Sequence, residues 1–194
     1  MAGKFIVVEG PSASGKSSAI IEALKHLERN KFCYVKGFTK TSRWGELINA
    51  HPHSWLYCLD FALKTAMHIK PLLKRGINVL QDRYVQSVDT FPPDCYRMHN
   101  RIMRSMLNKY FIQPDLYIHI TASLDTLVNR LRQGRRDEYH NKLAKDPEMT
   151  IERENNYMRI YALLQCPKYV INTTGRAAEE SASELVEIIR RELK

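Results

Sequence analysis

Apolar positions fall along this chain in two alternating rhythms. Short runs at 5–8, 32–35, 77–80, 116–120 and 169–171 are rich in Val, Ile, Leu, Phe and Tyr and bounded by polar residues. Such runs predict buried strands. Between them the apolar residues recur at helical spacing. Leu56, Leu59, Leu63, Met67 and Leu72 predict one long helix over 55–73, and Met103, Met106 and Leu107 one over 96–110. Ser123 is a good N-cap for a helix over 124–131. A polar stretch leads to another helix over 149–164, and Leu185, Val186, Ile188 and Ile189 mark the last. Strands alternating with helices predict an α/β fold, a five-stranded parallel sheet with helices on both faces. Ligands of such sheets bind outside the carboxyl ends of the strands.

The first strand runs into Gly10-Pro11-Ser12-Ala13-Ser14-Gly15-Lys16-Ser17, followed by Ser18 and a helical pattern. This matches G-x-x-x-x-G-K-[ST] in its strand–loop–helix context, the signature of a phosphate loop. Backbone N–H groups of Gly10 and of Ser12 through Ser18, at a helix N-terminus, would form an anion trap. Lys16 would reach the β- and γ-phosphates, and the Ser17 hydroxyl would ligate Mg²⁺. With no nucleotide bound, the Lys16 side chain is expected to point into a solvent-filled loop.

The third strand ends in Asp82-Arg83-Tyr84. An acid there is placed to hold Mg²⁺, and Arg83 to bind two phosphate oxygens at once. Arg130, Arg132, Arg135 and Arg136 crowd into seven residues. Gly134 is expected to end the helix there, leaving Arg135 and Arg136 on a mobile arginine-rich lid at about 132–147, supplying charge to the transferred group as the site closes. Arg130 is the nearer candidate for the nucleotide itself.

Composition narrows the rest. At 194 residues, 1–194 reads as one domain with a substantial core. No apolar run approaches a membrane span, and no signal peptide precedes the first strand. The four cysteines, Cys33, Cys58, Cys95 and Cys166, form no C-x-x-C pair, which predicts reduced thiols and a cytoplasmic setting. A net charge of +9 favours polyanionic partners. Its local concentration favours a phosphate clamp over a broad nucleic-acid face.

The chain resembles the thymidylate kinase family of phosphate-loop nucleotide and deoxynucleoside kinases. The resemblance is most specific over 57–87: Asp60 on a helix, Pro71-Leu72-Leu73, Arg75-Gly76, an apolar strand, then Asp82-Arg83-Tyr84 and Ser87. Gln113-Pro114-Asp115-Leu116 resembles the family's entry to its fourth strand. The resemblance implies the phosphate-loop NTPase fold, ATP and Mg²⁺, a nucleoside monophosphate acceptor, and a homodimer. It assigns adenine to the turn Asn172-Thr173-Thr174-Gly175, with Thr174 and Gly175 as its contacts, and the acceptor to Tyr57, Phe61, Arg83 and Ser87. Departures are as informative. Ser12 stands where the family carries an acid, Phe61 where an arginine reads the thymine edge, and Tyr57 where a ring stacks on the base. Phe61 is therefore expected as an apolar wall of the acceptor cleft, with base specificity altered. Two other readings stay open. A deoxynucleoside kinase would need a glutamate base after the second strand, yet no acid occurs between Asn30 and Glu46. A non-catalytic nucleotide- or nucleic-acid-binding protein would have no need to keep Lys16, Ser17, Asp82 and Arg83 together.

Overall fold

The computed structural model describes residues 2–37, 54–90, 102, 105–134 and 138–194, with the side chains at 54, 55, 138 and 139 left aside. Each apolar run forms a strand: β1 (Phe5–Glu9), β2 (Phe32–Lys36), β3 (Asn78–Asp82), β4 (Leu116–Thr121) and β5 (Lys168–Asn172). They pair in parallel in the order β2-β3-β1-β4-β5. The register lines up the chemistry-bearing ends. Lys36 lies opposite Asp82, Asp82 opposite Val8, and Glu9 opposite His119.

Because side chains alternate across a strand, neighbouring residues feed two different cores. Ile6, Val8, Leu80, Ile118, Ile120 and Ile171 pack on one face with α1 (Lys16–Leu24) and the C-terminal helix. Phe5, Val7, Val79 and Tyr117 pack on the other with Cys58, Phe61, Ile69 and Tyr84. The sheet is thus covered on both faces, as a parallel sheet requires.

The single long helix expected over 55–73 is interrupted. Helix α2 (Ser54–Lys64) passes into a π-helical turn, Thr65–Ile69, before α3 (Lys70–Lys74). Pro71 supplies the reason: it has no N–H to offer four residues back, and the Lys70 N–H reaches back five residues to the Thr65 carbonyl. The Thr65 hydroxyl bonds the Phe61 carbonyl at 2.7 Å and the Tyr84 hydroxyl at 3.0 Å, tying the bulge to the end of β3.

A short helix α4 (Gln86–Asp89) follows β3. Within the helix expected over 96–110, the described part closes in a 3₁₀ turn at Asn108–Tyr110. Ser123 caps α5 (Leu124–Gln133) through the Thr126 N–H at 3.3 Å. Gly134 ends α5, but at φ −92°, outside the left-handed region. A Cβ there would lie 2.9 Å from the Arg130 carbonyl, so crowding is what excludes a side chain. The far part of the expected lid is helical rather than irregular: α6 (Glu138–Lys145) leads to the Asp146 cap of α7 (Pro147–Leu163). The polar sequence of α6 hid it, since only Leu143 is deeply buried on its described side. Helix α8 (Ala178–Glu192) closes the fold against α1.

Candidate active site

The phosphate loop leaves β1 through backbone that few residues tolerate. Gly10 has φ +145°, Ala13 +65° and Gly15 +83°. A Cβ at Gly10 would sit 2.0 Å from the Ile120 carbonyl oxygen, so only glycine fits. Gly15 precedes α1 without a side-chain cap, and the first turn holds no acidic residue. The opening N–H groups of α1 are thereby left for an anion.

Lys16 does not project into solvent. It is only 5 % exposed, and its ammonium donates to the Pro11 carbonyl at 2.8 Å and the Ser14 hydroxyl at 3.4 Å. Burial, aided by the Arg83 charge, pulls its pKa down to about 7, against the opposing pull of Asp82 and Glu9. Phosphate oxygens would replace the carbonyl contact and restore the full charge.

Asp82, 3 % exposed, meets the loop from β3. Its Oδ2 accepts from the Ser17 hydroxyl at 2.7 Å and from the Tyr34 phenol at 3.1 Å. Burial and the Asp82 charge push the Tyr34 phenol well above its ordinary pKa, so it remains a donor. Asp82 Oδ1 is buried with no hydrogen-bond partner. A buried carboxylate oxygen left bare, beside a serine hydroxyl, is a hard-oxygen set suited to Mg²⁺. Both expected metal residues, Ser17 and Asp82, thus meet at one point. Among the described residues no cluster of three or more His, Cys, Asp or Glu side chains forms a separate metal site.

Arg83 turns the chain after β3 at φ +67°, a left-handed conformation that costs a non-glycine residue about 1–2 kcal/mol. Two grips hold it. Its N–H donates to the Val8 carbonyl at 3.0 Å, and the next N–H, of Tyr84, donates to Glu9 Oε1 at 2.7 Å. Gly37 closes in from β2, its N–H on the Asp82 carbonyl at 2.7 Å. The Arg83 guanidinium then reaches the Tyr157 hydroxyl at 2.9 Å and Ser87 Oγ at 3.4 Å.

Glu9 is the anchor of this turn. It is fully buried and also accepts from the Ser87 N–H at 3.1 Å and the Ser87 hydroxyl at 2.6 Å. Burial pushes its pKa up, while Arg83, Ser87 and the Tyr84 N–H pull the other way. Ser87, expected to touch the acceptor, is therefore spent on Glu9 and within 3.2 Å of the Tyr157 hydroxyl.

On the far side of the loop, Arg130 donates to Thr173 Oγ1 at 2.9 Å, the Thr173 carbonyl at 3.0 Å and the Ala13 carbonyl at 3.4 Å. Thr173 Oγ1 in turn donates to the Ser14 carbonyl at 2.9 Å. Thr174 Oγ1 accepts from the Ser123 N–H at 2.7 Å, and Gly175 turns the chain at φ +67°. Arg130 and Thr173 thus meet the phosphate loop, whereas Thr174 bonds Ser123.

The acceptor side differs from expectation. Tyr57 is half-buried beside the second core. Phe61 is only 1 % exposed and packs edge-on against Tyr84, 5.6 Å between centroids. Its ring fills the core rather than an open cleft wall. Arg135 and Arg136 lie outside the described residues, as does Cys95; Cys33 and Cys166 form no disulfide.

Sequence reasoning missed Glu9, Tyr34 and Tyr157, and placed Thr173 only within the turn after β5. Only Glu9 carried a signal: it is the one charged residue in a strand buried along its whole length.

Comparison with known proteins supplies a relationship. The family model for thymidylate kinase matches residues 8–185. The thymidylate kinase of Caldicellulosiruptor saccharolyticus is 30% identical over 152 residues, 71% of this chain and 74% of that one. That of Mesoplasma florum is 24% identical over 202 aligned positions, covering 91% and 95%. The solved thymidylate kinase of Candida albicans superposes with a TM-score of 0.72 at 16% identity over 98% of this chain and 92% of that one, a likeness of fold. With the phosphate loop, the Asp82-Arg83 turn and the five-stranded parallel sheet, these matches settle the kinship: the chain belongs to the thymidylate kinase family of phosphate-loop nucleotide kinases.

Proposed function

We infer that this protein transfers the γ-phosphoryl group of ATP to the phosphate of a nucleoside monophosphate. The observation that carries this reading is the meeting of Lys16, Ser17, Asp82 and Arg83 at the carboxyl edge of β1 and β3. The loop N–H groups and Lys16 grip the β- and γ-phosphates. Ser17 and Asp82 would hold Mg²⁺, which would supply neutralising charge there. Arg83, aimed by Tyr157, holds the acceptor phosphate. Arg130 and the Thr174-Gly175 turn flank the adenosine. Arg135 and Arg136 bring positive charge to the transferred group as the lid closes.

An acceptor phosphate is already anionic at neutral pH, so the attacking oxygen needs no base. Glu9, fully buried behind the Arg83 turn, has both oxygens engaged with backbone and Ser87, which suits an anchor and not a base. This favours a nucleotide over a nucleoside acceptor. Position 61 offers no base-reading contact, since its ring is buried in the core, and thymidylate is taken as one of several acceptors.

Exposed Leu63, Met67, Ile102 and Met106 on the middle helices supply an apolar surface for pairing two copies. Among the described residues no helix is long and apolar enough to cross a membrane. With four scattered cysteines and no C-x-x-C pair, the protein is assigned to a reducing cytoplasm.

The test is ADP release from ATP and Mg²⁺ across a panel of nucleosides and monophosphates. Turnover with monophosphates and none with nucleosides is expected. Phosphorylation of nucleosides alone would replace this reading with the deoxynucleoside kinase one.

A further inference from the structure

Tyr34 has no part in the roles assigned so far, yet its hydroxyl is directed at the most sensitive atom of the site. The residue sits on β2 opposite Leu80 of β3, two positions before the Lys36–Asp82 pair. Its ring packs against the core shared with α1. Its phenol reaches forward along the sheet to Asp82 Oδ2 at 3.1 Å. A phenylalanine would pack equally well; the hydroxyl serves Asp82.

The distribution of donors on that carboxylate is lopsided. Ser17 and Tyr34 both donate to Oδ2, while Oδ1, equally buried, receives nothing. An ionised carboxylate accepts about two hydrogen bonds per oxygen. Oδ2 is therefore saturated and Oδ1 is bare. A cation approaching Asp82 meets one free oxygen, not two.

We propose that Tyr34 is a positioning residue that makes Asp82 a one-oxygen ligand and so tunes the site for Mg²⁺ over larger cations. The proposal rests on the reading of Ser17 and Asp82 as the metal residues. Its chemistry is that of the two ions. Mg²⁺ demands near-octahedral geometry and takes single carboxylate oxygens, whereas Ca²⁺ accepts both oxygens of one carboxylate in a looser shell. With the phenol removed, Oδ2 regains a lone pair, and the carboxylate can offer both oxygens. The ion that uses two oxygens gains, and the ion that needs one held in place loses.

The test uses the intact protein with the non-hydrolysable β,γ-imido analogue of ATP, so turnover does not enter. Mn²⁺ bound to the complex is displaced by Mg²⁺ or by Ca²⁺, and the free Mn²⁺ is read by electron paramagnetic resonance. Tyr34→Phe is expected to lower the ratio of Mg²⁺ to Ca²⁺ affinity by about tenfold, the scale of one hydrogen bond to a charged group. Para-aminophenylalanine at position 34 keeps ring and donor and is expected to restore the ratio. Thermal melting of each variant checks the fold, and the rescued variant carries the test if Tyr34→Phe is unstable. An unchanged ratio in Tyr34→Phe, or equal weakening of both ions without rescue, overturns the proposal while leaving the metal assignment intact. A wild-type complex whose Mn²⁺ affinity does not exceed that of the free analogue, and is unmoved by Asp82→Asn, overturns the metal assignment itself and the proposal with it.

Discussion

The Arg83 guanidinium donates to the Tyr157 hydroxyl at 2.9 Å, joining the turn after β3 to the middle of α7 across 74 residues of chain. Tyr157 is fully buried, and its hydroxyl also lies within reach of Ser87. Tyr157→Phe keeps the ring and removes the hydrogen bond that aims Arg83. The acceptor KM should rise by about two- to tenfold, the worth of one such bond, with kcat less affected. Steady-state kinetics with the acceptor varied decides it. A fall in kcat at constant KM would mean that Tyr157 acts elsewhere.

Lys16 should matter for turnover and for stability with pH, in opposite senses. Lys16→Met should cost about 10²-fold or more in turnover, since the ammonium opposes charge developing on the phosphoryl oxygens. Without nucleotide, the folded-state pKa of about 7 lies below the ordinary 10.5. Between those values the unfolded chain binds more protons than the folded one, so stability rises with pH. The cost of burying the charged lysine is fully present below about pH 7 and disappears toward pH 10.5. Melting curves across this window should show the wild type gaining on Lys16→Met as pH rises. Parallel curves would sink the assignment.

The core position of Phe61 separates two expectations. Phe61→Ala should destabilise the fold by about 3–5 kcal/mol, as truncation of a buried aromatic does. Phe61→Arg should lower the melting temperature further by burying a charge, with no gain in relative activity on thymidylate. A stable Phe61→Arg protein with raised thymidylate activity would instead place the side chain on the acceptor cleft.

Arg135 and Arg136 are expected to act in the transition state. Replacing both with Ala should lower kcat by about 10²-fold or more while ATP affinity changes by less than about threefold. Pre-steady-state turnover beside equilibrium ATP binding tests this. Matching losses in the two would make them simple ground-state binders.

The strands were legible in the sequence because burial on both faces writes a continuous apolar run, and each observed strand differs from its run by one or two residues at one or both ends. The phosphate loop was legible because its backbone demands glycines at fixed places. The π turn before Pro71 was not, since apolar spacing over Leu63, Met67 and Leu72 does not distinguish an α-helix from one with an extra residue inserted. Helix α6 was missed because its sequence is mostly polar, and a solvated helix and a loop then read alike. Tyr34, Thr173 and Tyr157 come to the site through contacts with partners 48, 159 and 74 residues away. Spacing along the chain carries no trace of such contacts.

The bond from Thr173 Oγ1 to the Ser14 carbonyl ties the last strand to the first loop. During synthesis this loop leaves the ribosome early, but its brace is made almost at the end. Until β5 has emerged and docked at the sheet edge, the Ser14 carbonyl lacks the threonine, and Arg130 lacks the partner that presses it against Ala13. The brace on the phosphate loop therefore forms late, and a chain ended before β5 would carry the motif intact but without this support.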